Sequence, residues 1–172
     1  MYFSGFCLQN DVELFKEYLE ESDFNIAGFS YGAIKAFEYA ICKVKKNKRV
    51  HKLQLFSPAF FQDQNKKYKR LQLMFFKKNE LEYKNNFIEN ISKPSSINLD
   101  KYLTLGTYDQ LEILLNYEWQ KEDLELLIKA GVKIEVFLGS DDKIINSKNA
   151  LEFFRHFSEV YYIKNVGHIL ID

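Results

Sequence analysis

Cysteine is scarce: the 172-residue chain has two, Cys7 and Cys42, with no C-x-x-C spacing, so neither a disulfide framework nor a paired-thiolate metal site is available. An H-E-x-x-H helix is absent, as is the G-x-x-x-x-G-K loop that cradles nucleotide phosphates. Metal hydrolysis and nucleotide chemistry therefore have no motif to rest on, and no cofactor is expected. No apolar run approaches the ~20 residues of a membrane helix, and the N-terminus lacks a basic stretch followed by an apolar signal core. The expectation is a cytoplasmic protein with reduced thiols and no membrane partner. Net charge is missing too: Lys+Arg and Asp+Glu are 24 each, which leaves no overall field to hold a nucleic acid. With two prolines, seven glycines, no repeat and no Gly/Ser/Pro-rich linker, the chain reads as one domain, so any second module must be an insertion.

What is present is the composition of a globular protein, 47% hydrophobic and 28% charged. Short apolar segments alternate with helical patterns, the rhythm of βαβ units and a parallel sheet. Five strands are expected, at Tyr2–Ser4, Phe24–Ala27, Lys52–Phe56, Val132–Leu138 and Glu159–Ile163. Val12, Phe15, Tyr18 and Leu19 recur at helical spacing after Asn10 and Asp11, good N-cap types, which predicts an amphipathic helix on the sheet. Further helices are expected from Tyr31 to about Lys46, from Gln120 to Ala130 before Gly131, and from Ser147 to Phe157. The cations at the end of the first of these suit a helix C-terminus better than an anion site. From Phe60 to about Thr104 there is no convincing strand, only helical patterns rich in Lys and aromatics with Pro58 and Pro94 as breaks, which divides the chain into core (1–58), helical cap insertion (59–105) and core (106–172).

The sharpest signal is Gly28-Phe29-Ser30-Tyr31-Gly32, directly after a strand and at the start of a helix. A serine on such a strained strand-to-helix turn has its hydroxyl pushed into the open, and glycines two residues to either side let backbone approach closely. With ten serines and seven glycines, chance would place about 0.02 such motifs in the chain. Serine needs a base, and the base an orienting acid. After the fourth strand come Asp141 and Asp142, of which Asp142 is preferred and Asp141 is the alternative; after the fifth comes Asn165-Val166-Gly167-His168. Both sit at strand C-terminal ends, where open parallel sheets build their sites. Of the other two histidines, His51 lies among cations before a strand and His156 lies in a helix. Donors for an oxyanion are expected from the backbone N–H of Tyr31, after the serine, and of Phe6, in the Ser4-Gly5-Phe6 loop after the first strand.

On these motifs the chain resembles an α/β-hydrolase with most of its N-terminal strands missing. More closely, it resembles the small pimeloyl-[acyl-carrier-protein] methyl ester esterases of bacterial biotin synthesis. The resemblance is carried by Phe3-Ser4-Gly5-Phe6, Gly28-Phe29-Ser30-Tyr31-Gly32, Leu55-Phe56-Ser57-Pro58, Lys69-Arg70-Leu71-Gln72-Leu73 and Val132-Lys133-Ile134-Glu135-Val136-Phe137. It implies a Ser-His-Asp esterase with Ser30 as nucleophile, Asp142 as acid, His168 as base, and Phe6 and Tyr31 as oxyanion donors. Larger relatives carry His-Gly where this chain has Ser4-Gly5. The resemblance also implies an acyl carrier protein as partner. If residues 62–77 are helical, Lys66, Lys69, Arg70 and Lys77 form one stripe, suited to an acidic carrier or simply to solvent, while Tyr68, Leu71 and Phe75 face the core. A general carboxylesterase or thioesterase, or a non-catalytic carrier-binding module, are the alternatives.

Removing the early strands of a hydrolase sheet leaves five parallel strands in chain order. Right-handed crossovers would then put every helix on one face. Leu53, Leu55, Ile134 and Val136 alternate with Lys52, Gln54, Lys133 and Glu135, so the other face is expected to be partly open, with Phe56 and Phe137 forming an apolar patch for a homodimer.

Overall fold

The computed structural model describes residues 1–172. Five strands, β1 (Tyr2–Phe3), β2 (Asn25–Phe29), β3 (Lys52–Phe56), β4 (Lys133–Gly139) and β5 (Glu159–Ile163), form one sheet in the order β1-β2-β3-β4-β5. Every neighbouring pair is parallel. The truncated hydrolase sheet expected from the sequence is therefore the sheet observed. β2 runs on to Phe29, so the strand delivers the chain directly to Ser30.

Helices α1 (Tyr31–Lys45), α2 (Lys66–Lys78), α3 (Glu80–Ser92), α4 (Tyr108–Asn116), α5 (Lys121–Lys129) and α6 (Ser147–Phe154) complete the fold. On one sheet face Leu53, Leu55, Ile134, Val136 and Leu138 meet Ala33 and Phe37 of α1, Leu115 of α4, Leu124 of α5 and Phe154 of α6 in a single cluster. α4 has no counterpart in the strand and helix reading. Its signal was local: Thr107 accepts the Gln110 N–H at 3.2 Å while Gln110 Oε1 accepts the Thr107 N–H at 3.0 Å, a T-x-x-Q capping box. On α2 the buried aromatic is Phe76, 3% exposed, and Phe75 is 52% exposed, one position away from the expected inward face.

The second face is covered, contrary to expectation. Residues after β1 form only a short 3₁₀ turn, Asp11–Phe15, in place of the expected amphipathic helix. Asn10 is left-handed, φ 55°, and caps nothing with its side chain. The apolar spacing still had the right consequence. Leu14 and Phe15 are buried on the sheet, with Tyr18 and Leu19 packed alongside. Phe15 stacks on Phe56 at 4.7 Å, and Tyr18 and Tyr161 close over Phe137 at 5.4 and 4.7 Å. Phe56 and Phe137 are thus core residues, each burial contributing about 1.5–3 kcal/mol, and no apolar dimer patch exists there. The β1–β2 connection crosses the face opposite α1 although both steps run the same way across the sheet, so it has the opposite hand. The handedness rule rests on a helix following a twisted strand, and this connection contains no α-helix to obey it.

The polar half of that face is also enclosed. Lys52, Gln54 and Glu135 are 4%, 1% and 3% exposed. Lys52 Nζ meets Glu135 at 2.8 Å and also pairs with Glu20, while Gln54 donates to Glu135 at 3.0 Å and to the Tyr18 carbonyl at 2.9 Å. Burial alone would raise the Glu135 pKa, but hydrogen bonds from Lys133 and Lys52 outweigh it and hold the carboxyl below its ordinary range. Lys133 stays half exposed between Glu135 and Glu159, at 2.8 and 3.0 Å.

Candidate active site

β2 ends where α1 begins, and the joint falls on Ser30. Its φ of 52° and ψ of −114° lie outside the regions L-residues favour, a strain of about 1–3 kcal/mol held by the surrounding chain. Hydrogen bonds fix it from both sides: the Ser30 N–H donates to the Phe56 carbonyl at 2.9 Å, and its own carbonyl accepts from Ala33 and Ala59 at 3.1 and 3.2 Å. The two glycines are there for close approach. A Cβ on Gly28 would overlap the Gly32 backbone, and one on Gly32 would overlap the carbonyls of Phe3 and Ser4 in the loop after β1.

The structure brings Ser30, His168 and Asp142 together. Ser30 Oγ lies 2.9 Å from His168 Nε2, and His168 Nδ1 lies 2.7 Å from Asp142 Oδ2. A carboxylate only accepts, so Nδ1 carries the proton and Nε2 is left to accept from the serine hydroxyl. The Asp142 and His168 side chains are fully buried. Asp142 Oδ1 accepts the backbone N–H groups of Ile144 and Ile145 at 2.7 and 3.1 Å, which anchors the carboxylate on its loop. Asp141, the alternative, is exposed, and its carboxylate accepts only from the neighbouring Ser140 hydroxyl at 2.8 Å. His51 and His156 are exposed and outside the cluster.

The histidine loop is set by neighbours distant in sequence. A Cβ on Gly139 would collide with the backbone of Val166 and Gly167, so β4 and the His168 loop touch, and Gly167 in turn abuts the backbone of Lys93 at the end of α3. Phe29 packs on the His168 ring at 5.0 Å. Ser57 was missed as a site residue: left-handed at φ 39° and fully buried, it donates its hydroxyl to the His168 carbonyl at 2.6 Å. The only local signal was a serine at the C-terminal end of a strand, before Pro58.

Ser30 is not open to solvent as the turn geometry suggested; it is 3% exposed. Phe87 and Ile88 of α3 and Ile144 pack against both core clusters and so close over the C-terminal end of the sheet. The Phe6 ring, buried, meets Phe87 edge-on at 5.3 Å, which ties the loop after β1 to the helices above it. Neither the Phe6 nor the Tyr31 N–H is used in a turn or cap hydrogen bond. Between α2, α3 and α4 lies a cleft of about 520 Å³, within the usual range for small-molecule sites. Phe61, Phe87, Leu111 and Leu115 supply apolar walls, Gln72 and Tyr83 a polar pair joined at 3.0 Å, and Ile144 brings it next to the Asp142 loop. On α2, Lys66, Lys67, Lys69, Arg70, Lys77 and Lys78 have no acidic residue among them on the helix and none is in an ion pair. No helix is long and apolar enough to cross a membrane.

The fold is that of the α/β-hydrolases. Naproxen esterase (carboxylesterase NP) from Bacillus subtilis superposes with a TM-score of 0.53 at 20% identity, over 85% of this chain and 53% of the esterase. Bromoperoxidase from Bacillus anthracis gives 0.63 at 12% identity, over 85% and 60%. BioG from Haemophilus influenzae gives 0.58 at 15% identity, over 98% of this chain and 87% of BioG. The chain thus spans about half the length of the carboxylesterase and most of the length of BioG. No protein-family model matches the sequence, and no curated protein matches it as a relative.

Proposed function

We propose that this chain is a serine carboxylesterase that hydrolyses the methyl ester of a pimeloyl group carried on acyl carrier protein. The observation that carries the esterase reading is the chain of contacts Ser30–His168–Asp142, at 2.9 and 2.7 Å, on a strained strand-to-helix turn. In the reaction, Ser30 Oγ attacks the ester carbonyl as His168 Nε2 takes its proton. The N–H groups of Tyr31 and Phe6 stabilise the oxyanion. Collapse expels methanol, which receives the proton from His168, and leaves an acyl-enzyme. Water, deprotonated by His168, then attacks the acyl carbon and frees the carboxylate and Ser30. Asp142 holds the Nδ1–H throughout and stabilises the imidazolium.

Three features support the finer substrate. The sequence resembles the small pimeloyl-[acyl-carrier-protein] methyl ester esterases, and the likeness to BioG over nearly the whole of both chains points the same way. The cleft beside Ile144 has apolar walls for an acyl chain. The unpaired cations of α2, with Lys66, Lys69 and Arg70 at their head, suit an acidic carrier.

The test is hydrolysis of methyl esters on and off carrier protein. The wild-type chain should release methanol from the carrier-linked ester, with Ser30→Ala and His168→Ala each losing most turnover and the double variant little more, because the triad acts as a unit. Equal efficiency on free and carrier-linked esters would reduce the reading to a general esterase. Failure of Ser30 to label with a phosphonate would leave only a binding module.

A further inference from the structure

Asp11 is fully buried and forms no ion pair. Its Oδ2 accepts the Gly5 N–H at 2.9 Å, and its Oδ1 has no hydrogen-bond partner; nor has the buried Tyr2 hydroxyl. Burial raises the pKa of the Asp11 carboxyl, against the opposing pull of Ser4 and the Gly5 amide. A buried carboxylate with one firm donor and no cation costs the fold stability, and an apolar side chain of similar volume would avoid the penalty. The residue needs another reason to be there, and the only group it holds firmly lies one peptide before the Phe6 amide.

The next peptide, Gly5–Phe6, is fixed as well. The Gly5 carbonyl accepts the Leu8 N–H at 3.2 Å across a turn that forces Cys7 to φ 61°. Because the peptide group is planar and trans, turning the Gly5 carbonyl toward Leu8 directs the Phe6 N–H the opposite way, out of the turn. The same loop touches the nucleophile turn: a Cβ on Gly5 would collide with the Phe29 ring, and the Phe3 and Ser4 carbonyls crowd Gly32. Without Asp11 the Gly5 N–H would lose its hydrogen bond, and of the two that hold Gly5 only the one to Leu8 would remain.

We propose that Asp11 is a positioning residue that fixes the Ser4-Gly5-Phe6 backbone so that the Phe6 N–H serves as the second oxyanion donor. The inference rests on the esterase reading. It acts on the transition state and not on substrate binding, so its effect falls on kcat.

Two variants test it on a small soluble ester, with a trifluoromethyl ketone as oxyanion-forming inhibitor and thermal melting as the check on folding. Asp11→Leu removes the acceptor and should lower kcat about 10²-fold, the loss typical of one oxyanion donor. KM should stay within twofold, ketone affinity should fall in parallel, and the melting temperature should hold. Asp11→Asn keeps a carbonyl acceptor and should lose less than tenfold. An Asp11→Leu variant with kcat within threefold of wild type would overturn the proposal while Ser30-dependent turnover left the esterase standing. Asp11→Asn, near-isosteric, also decides the matter if Asp11→Leu does not fold: retention of kcat supports the acceptor role, and a loss of 10² or more shows that charge is what counts and overturns it. A wild-type chain with no Ser30-dependent turnover would defeat the esterase reading and this inference together.

Discussion

Replacing Asp142 by Asn changes one atom, and the hydrogen bonds around it dictate the result. Oδ1 of Asp142 accepts two backbone N–H groups, from Ile144 at 2.7 Å and Ile145 at 3.1 Å. In Asp142→Asn an NH₂ in that place would face two donors, so the carbonyl oxygen must take it and the NH₂ must face His168. His168 Nδ1 can then only accept, its proton moves to Nε2, and Nε2 no longer accepts from Ser30 Oγ, 2.9 Å away. The geometry survives with the wrong tautomer. The same tautomeric fault in a serine protease triad costs about 10⁴ in kcat, or about 5 kcal/mol in the barrier. Steady-state turnover of a soluble ester measures it, with the His168 ring-nitrogen NMR shifts reporting the tautomer. Asp141→Asn, at an exposed carboxylate bonded to Ser140, should stay within threefold. An Asp142→Asn variant within tenfold of wild type, or a larger loss from Asp141→Asn, would refute the reasoning.

Reversing Lys66, Lys69 and Arg70 to Glu together should raise KM for a carrier-linked ester at least tenfold more than for a soluble ester, and the difference should shrink as salt is added. Ser57→Ala leaves the His168 carbonyl without its 2.6 Å donor and should lower kcat about tenfold with KM unchanged, read from Michaelis–Menten kinetics. Lys52→Met strips a buried carboxylate of a partner and should cost about 3 kcal/mol in urea unfolding, whereas Lys133→Met, at a half-exposed cation, should cost about 1 kcal/mol or less. Because the Glu135 pKa is depressed in the folded state, its contribution is present above the ordinary value of 4.5 and is lost as pH falls through the folded value. Glu135→Gln should accordingly flatten the acid limb of the stability–pH curve, and an unchanged limb would show that the carboxylate is not linked to folding.

The site was legible because its signals are local. A glycine-flanked serine, an acidic turn and a Gly-His loop each follow a strand, and parallel strands deliver their C-terminal ends to one edge. What the sequence could not state was the support behind them. Ser57 reaches the His168 carbonyl across a separation of 111 residues, and no spacing rule joins them. Asp11 read as a helix cap because Asp beside Asn before apolar periodicity usually is one; here its carboxylate turns to the Gly5 amide, and the following segment stops after one 3₁₀ turn.

The covered second face shows why alternation alone misleads. Along β3 and β4 the paired positions on that face run Lys52 with Lys133, Gln54 with Glu135, then Phe56 with Phe137. Read strand by strand, charge every second residue signals solvent. Read along the register, the face divides into a polar half at the N-terminal ends and an aromatic half at the C-terminal ends, and each needs a different cover. Phe15, Tyr18 and the tail through Ile169 and Leu170 close the aromatic half, next to the catalytic candidates. Glu20 and the Tyr18 carbonyl, from the same short connection, satisfy Lys52 and Gln54 in the polar half. One segment of chain with no α-helix contributes to both because Phe15 and Tyr18 lie over the aromatic half and Glu20 follows them over the polar half. A period of two in the strands was therefore compatible with an open face or a covered one, and the deciding residues lay in the connection.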